Sequence, residues 1–154
     1  MALLISVKIE GDQIVARRLR AIGNGINDLS LAMRDIGKEA IGYYASHFAY
    51  KGSPYGESWP DYSIQYKKWK EKHSKSGSAY PMLVFSGKMQ EGFFATTTNS
   101  SVTIDNHMPY YKYHQSTAER TKIPRRAMAG INTDIKDMVK ATIRKEIIRK
   151  IETA

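Results

Sequence analysis

The chain of 154 residues contains no cysteine. That one absence removes disulfides, thiolate metal sites and cysteine nucleophiles together, and it suits a cytosolic life. Runs of eighteen or more apolar residues are also missing, so no membrane-spanning segment is expected. The start, Met1-Ala-Leu-Leu-Ile-Ser-Val7, has neither a basic leader nor a long apolar stretch and does not read as a secretory signal. The catalytic vocabulary is equally thin. GxSxG, the Walker pattern, GxGxxG and HExxH do not occur, and the acidic residues form no cluster suited to paired magnesium ions.

What is present is an ordinary globular composition, 42% hydrophobic and 25% charged, of a length that suits one domain. The formal charge is +9, unevenly spread. Residues 51–80 hold six basic and three acidic side chains, and residues 112–154 hold eleven and five. Such a surplus fits a surface near nucleic acid or an acidic protein partner, or a solvated face that keeps the protein soluble.

The stretch Lys51-Gly-Ser-Pro-Tyr-Gly-Glu-Ser-Trp-Pro-Asp-Tyr-Ser63 organises the rest. Pro54 and Pro60 push Ser53 and Trp59 out of the α region, and Gly52 and Gly56 break it further. Trp59 is the expected anchor, a large ring that pins an irregular loop to the core. A packed surface loop and a contact surface for a partner subunit both fit these residue types.

Periodicity places the remaining elements. Leu3 to Ile9 reads as a strand, and a helix capped by Asp12 runs to about Ile22, stopped by Gly23-Asn-Gly25. A long helix spans about 27–50, with Leu29, Met33, Ile36, Ala40, Tyr44 and Phe48 on one face. Gly37 and Gly42 in it are expected to serve packing, since they cost helix propensity. Ser63 to His73 predicts a helix with Tyr62, Tyr66 and Trp69 on one side and its lysines on the other. Ser74 to Ser78, within a loop of about 74–80, is polar and expected to be flexible. Residues 92–98 and 102–105 alternate around Asn99-Ser-Ser101 and predict a hairpin. Tyr110 to Gln115 reads as one or two helical turns. A last helix of about 132–151 turns Ile131, Ile135, Met138, Val139, Thr142, Ile143, Ile147 and Ile151 inward. The switch from helical period to alternation and back predicts an α+β single domain, 1–154, with a small, mainly antiparallel sheet packed against two long helices.

Two patterns invite a chemical reading. Lys67, Lys68, Lys70 and Lys72 around Trp69 have the composition that stacks bases and neutralises phosphates, though a lysine-rich helix face is commonly just solvated. Asp105, His107 and His114 include potential metal ligands, but the histidines straddle Pro109 and share no helix face. Catalysis, a metal and a cofactor are not expected.

Four spaced motifs then line up: Gly52-x-x-x-Gly56-x-x-Trp59-x-x-Tyr62-Ser63, Leu83-x-x-Ser86-Gly87-x-Met89, Tyr110-Tyr-x-x-His114-Gln115, and Ile123-Pro124-x-Arg126. In this order, over roughly residues 30–150, the chain resembles the phage virion morphogenesis family, the tail-completion proteins of Mu-type tailed phages and prophages. It departs at Tyr62 and Met89 (where that family has Leu), Tyr111 (Ala), Thr117 (Gly) and Ala127 (Pro). The first three keep apolar bulk or aromatic packing, and the last two alter turn chemistry.

The resemblance implies a neck protein of the virion, made in the host cytoplasm, that completes the tail and joins it to the DNA-filled head. It implies a homo-oligomeric ring that meets tail-tube, terminator or head-connector neighbours, with DNA in passing contact. Trp59, Tyr62, Tyr110, His114, Gln115, Pro124 and Arg126 become the structural or interface residues. Arg126, in the motif position, is expected to fix the turn entering the last helix, whereas Arg125 occupies a variable slot. The competing reading from charge alone is a small basic nucleic-acid-binding protein, with Lys67, Lys68, Lys70 and Lys72 near the phosphates.

Overall fold

The computed structural model describes residues 13–50, 52–118 and 123–153. The predicted strand 3–9 and the Asp12 cap lie outside them. In order come α1 (Gln13–Ile26), α2 (Ser30–Tyr50), α3 (Ile64–His73), α4 (Lys88–Glu91), β1 (Phe93–Thr97), β2 (Val102–Asn106), α5 (Tyr111–Gln115) and α6 (Thr133–Glu152). Helices and one antiparallel hairpin make this an α+β fold.

Helix α2 is the axis. Its stripe of Met33, Ile36, Ala40, Tyr44 and Phe48 is buried, against the hairpin on one side and α6 on the other. Gly37 is where the hairpin comes closest: a Cβ there would sit 2.8 Å from that of Ala95. Gly42 has nothing within 4 Å of the same position, so the packing role expected for it is not found. Asp28 opens the helix, its carboxylate accepting from both the amide and the hydroxyl of Ser30. Those two bonds hold the Asp28 pKa below the usual carboxylate value.

The stop signal at Gly23-Asn-Gly25 is overridden, and α1 continues to Ile26. Two glycines cost about 2 kcal/mol of helix propensity relative to alanine. The helix lies along α6, with Gly25 against the methylene stem of Lys150, and packing of that kind outweighs propensity.

In the hairpin Phe93 faces Asn106 and Thr97 faces Val102. Thr98 closes the turn: its amide donates to the Ser101 carbonyl (2.9 Å), and its hydroxyl accepts the Ser100 and Ser101 amides. One face carries Phe93 into a core shared with Tyr44, Phe48, Trp59, Met89, Tyr111, Met128 and Ile135. The other exposes Thr96, Thr103 and Asp105.

The inward pattern of α6 holds through its middle and fails at its two ends. Ile135 is buried, but Ile131 and Ile151 are exposed, contrary to expectation, and Ile148 is exposed as well. Ile131 precedes the helix, and Ile151 is the last residue but one of its far half. In that far half the buried side chain is Glu146, held by the Arg149 guanidinium through two bonds of 2.8 and 2.7 Å.

The 74–80 loop, expected to be flexible, is drawn into a turn in which the Ser74 hydroxyl donates to the Ser78 carbonyl (2.8 Å) and accepts the Ser78 amide (3.1 Å). Ala79 and Met82 beyond it are buried.

Candidate functional site

The segment 126–132 belongs to no helix or strand, yet Arg126, Ala127 and Met128 in it are buried. Its backbone groups therefore need partners from elsewhere. The Arg126 amide donates to the His114 carbonyl (3.1 Å). The Ala127 carbonyl accepts the Trp59 indole N–H (2.8 Å). One Gln115 side chain serves the next two residues: its oxygen accepts the Met128 and Ala129 amides (2.9 and 3.2 Å), and its nitrogen donates to the Ala129 carbonyl. Tyr44 Oη donates to the Gly130 carbonyl (2.9 Å). A side-chain amide has the donor–acceptor pattern of a peptide group, so Gln115 substitutes for a neighbouring strand.

Trp59 completes this clamp from the loop side. It is 5% exposed and packs edge-on to Phe48 at 5.6 Å between centroids. The loop itself closes through an isolated bridge between Gly52 and Ser58, with the Ser53 amide donating to the Glu57 carbonyl (2.7 Å). Ala127 is buried between the two halves.

Arg126 also belongs to the clamp, but not as expected. Its Nε donates to the Pro60 carbonyl (2.8 Å) and its Nη2 to that of Asp61 (3.2 Å), so it fastens the Trp59 loop rather than the turn into α6. Asn132 does the latter: its oxygen caps the helix at the Ile135 amide (2.9 Å), and its amide nitrogen donates to Tyr43 Oη (2.6 Å) and the Pro54 carbonyl. Arg125 is exposed and donates to the Gln115 carbonyl (3.3 Å).

On the outer side of this clamp lies a cleft of about 620 Å³. Tyr62, Tyr66 and Lys70 form one wall, Leu83 to Met89 a second, Tyr110 and His114 a third, and Ile123 to Arg126 the last. Five of the seven residues singled out from the sequence thus converge, namely Tyr62, Tyr110, His114, Pro124 and Arg126. Trp59 and Gln115 stand behind them in the clamp.

The local sequence explains the walls. Ser63 caps α3, its hydroxyl accepting the Tyr66 amide (3.3 Å). Tyr62 Oη accepts the amide of Leu83 (2.5 Å), a non-glycine residue at φ 61°. A left-handed leucine is strained, and the leucine usual in the family pattern at position 62 has no oxygen to hold it. Burial raises the Tyr62 pKa.

The cleft is cationic at its base. Lys70 is 1% exposed and Arg126 is 5% exposed. Lys70 Nζ donates to the Pro81 carbonyl (3.0 Å) and to Tyr62 Oη (3.4 Å). Both cations lie over the Tyr62 ring, Lys70 Nζ at 5.0 Å and Arg126 Cζ at 5.1 Å from its centroid. Among the described residues neither has a carboxylate within ion-pair distance. Burial lowers the pKa of both.

The four lysines are thus not one phosphate-facing ridge. Lys68 and Lys72 are exposed. Lys67 is tied to the Asp61 carboxylate (2.5 Å). The same carboxylate accepts Tyr80 Oη (2.8 Å), and these bonds, that of Lys67 foremost, bring the Asp61 pKa down to about 2. Lys70 is buried, which corrects its placement on the solvated face. The signal was there: Tyr62, Tyr66 and Lys70 step by four, so Lys70 continues the tyrosine face. Trp69 falls one position off it, 47% exposed, stacked with Tyr66, His73 and Phe85 at 21–26° between planes.

His107 stacks on Phe94 at 4.2 Å, while His114 lines the cleft. Among the described residues no group of three or more metal-ligating side chains gathers. Nor is any described helix long and apolar enough to cross a membrane.

A family model described as the phage virion morphogenesis family matches residues 10–147. No curated protein and no solved structure matches the chain.

Proposed function

The chain belongs to the phage virion morphogenesis family, and we propose that its part in virion assembly is to complete the tail and join it to the head as one subunit of a ring. The family match carries the assembly role. What supports a ring is a pair of unlike apolar surfaces. One is the aromatic rim of the cleft, with Tyr66, Trp69, Phe85 and Tyr110 exposed. The other is the outer flank of α6, where Val139, Ile143, Ile147 and Ile148 line an open apolar strip beside Lys140 and Arg144. Head-to-tail rings need two different patches on each subunit. Exposed aromatics beside arginine are the composition of interface centres. In this reading the protein ends in the virion after assembly in the host cytoplasm, between tail-tube or terminator and head-connector proteins, with DNA in passing contact.

A second reading rests on one observation: the stacked ladder of Tyr66, Trp69 and Phe85, flanked by exposed Lys68 and Lys72, offers faces on which bases can stack. Light scattering at low and high salt, with and without DNA, separates the two, since only the second requires salt-sensitive DNA binding by the free protein.

The deciding experiment is complementation of a phage that lacks this protein. Electron microscopy is expected to find separate full heads and tails without it and joined particles once the wild-type chain is supplied. Arg126→Lys loses the fork that spans two carbonyls, and should restore fewer joined particles than Arg125→Ala. Joined particles in its complete absence would refute the proposal.

A further inference from the structure

We propose that the cleft is the receptor for a carboxylate-bearing segment of a neighbouring virion protein, received by Lys70 and Arg126. That the partner is a virion protein rests on the assembly reading above; the carboxylate chemistry rests on the cleft alone.

Two buried cations lining one cleft are costly, and in folded proteins buried charges are ordinarily paired. Here, among the described residues, both are met by neutral acceptors, the carbonyls of Pro60, Asp61 and Pro81 and the Tyr62 hydroxyl. The Asp61 carboxylate, the described acid lining the cleft, is committed to Lys67 and Tyr80. Lys70 has spent two of its three N–H groups and Arg126 two of its five, leaving donors for an incoming anion. The quadrupole of the Tyr62 ring, which faces both cations, lowers the cost of holding them there while the cleft is empty.

The shape decides what kind of anion. The cations lie at the base, behind Tyr66, Phe85 and Tyr110, each exposed at the rim. A duplex presents its phosphates on a broad rigid cylinder and cannot reach recessed groups, whereas one flexible chain can. A cavity of about 620 Å³ admits a few side chains, within the range typical of small-ligand sites. The aromatic rim suits apolar side chains flanking the acid. An acidic residue, or a chain's terminal carboxylate, beside an aromatic or aliphatic one is therefore the matching ligand, and the net charge of +9 favours its approach.

The test is selection of a random dodecapeptide library on the immobilised full chain, followed by fluorescence polarisation with the enriched peptides. Enriched peptides are expected to carry Asp, Glu or a required free C-terminus next to an apolar residue. Amidating the carboxylate should weaken binding by about tenfold, equivalent to about 1.4 kcal/mol. Lys70→Met should do the same, and Lys68→Met, on the exposed side of α3, should stay within about twofold of wild type. Tyr66→Ala at the rim should also weaken binding, and it keeps the test decisive if Lys70→Met fails to fold. Enrichment without acidic character overturns the proposal, as does binding insensitive to folded Lys70→Met. So does displacement of the peptides by oligothymidylate that itself depends on Lys70, which would make the cleft a single-strand site. These outcomes are independent of complementation. A phage that joins heads to tails without this protein refutes the assembly reading while leaving the peptide result intact, and a cleft that ignores carboxylates leaves the assembly reading intact.

Discussion

Trp59 and Trp69 are the only two tryptophans, ten residues apart, and they do opposite work. Trp59 is buried against Phe48, and its indole N–H satisfies the Ala127 carbonyl in a segment that has no strand to pair with. Trp69 lies open in a stack of rings, on a helix that already satisfies its own backbone. The difference shows that ring size does not assign a role. An aromatic becomes structural where irregular backbone needs its polar atom, and it becomes surface where regular backbone does not.

The sharpest break of that contrast is Trp59→Ala. It removes a core ring and orphans a buried carbonyl, so it should cost about 3–5 kcal/mol in denaturant melts. A loss below about 1 kcal/mol would mean that the clamp does not depend on it.

Next is Gln115→Ala. Two amides and one carbonyl of residues 128 and 129 lose their partner at once, and the expected loss is on the order of 2 kcal/mol. Hydrogen exchange at the Met128 and Ala129 amides should speed up together. Unchanged protection there would show that the segment is held by packing alone.

Trp69→Ala should change folding stability by less than about 0.5 kcal/mol, as for an exposed site, yet lower the yield of joined particles. A large loss of stability instead would make the ladder part of the core and erase the contrast.

The smallest effect concerns Asp61, whose bonds to Lys67, Tyr80 and the Tyr62 amide hold its pKa at about 2 against 3.8. A depressed carboxylate pKa stabilises the folded state above the unfolded value, and that contribution fades as pH falls from about 3.8 through about 2. NMR titration should find that midpoint in the wild type, shifted up in Lys67→Met. Because the pair is exposed, the effect on melting should be slight.

How much was legible follows from how local each signal is. The Met33-to-Phe48 stripe, the hairpin about Asn99-Ser-Ser101 and the helix beginning near Ser63 were readable, because periodicity and turn signals act within one or two turns of chain. The glycines at 23 and 25 misled, because the gain that overrides them comes from α6, more than a hundred residues later. The four motifs named residues without giving their partners. Nothing around Arg126 names Pro60 and Asp61 as its acceptors, and nothing around Gln115 names residues 128 and 129. Lys70 was open to a correct reading from its four-residue step after Tyr62 and Tyr66, but a lysine in a lysine-rich stretch looks solvated until the 81–88 turn covers it.

By itself, then, the sequence determined the helical and β segments, the absence of thiol chemistry, the basic surplus and the order of the family motifs. These depend on residue type and short spacing alone. The tertiary structure decided which tryptophan is buried, how the backbone of 126–132 is satisfied, and that Lys70 and Arg126 both lie against the ring of Tyr62. Those outcomes depend on residues up to 86 positions apart along the chain meeting in space, and such pairings are chosen by the packing of the whole domain.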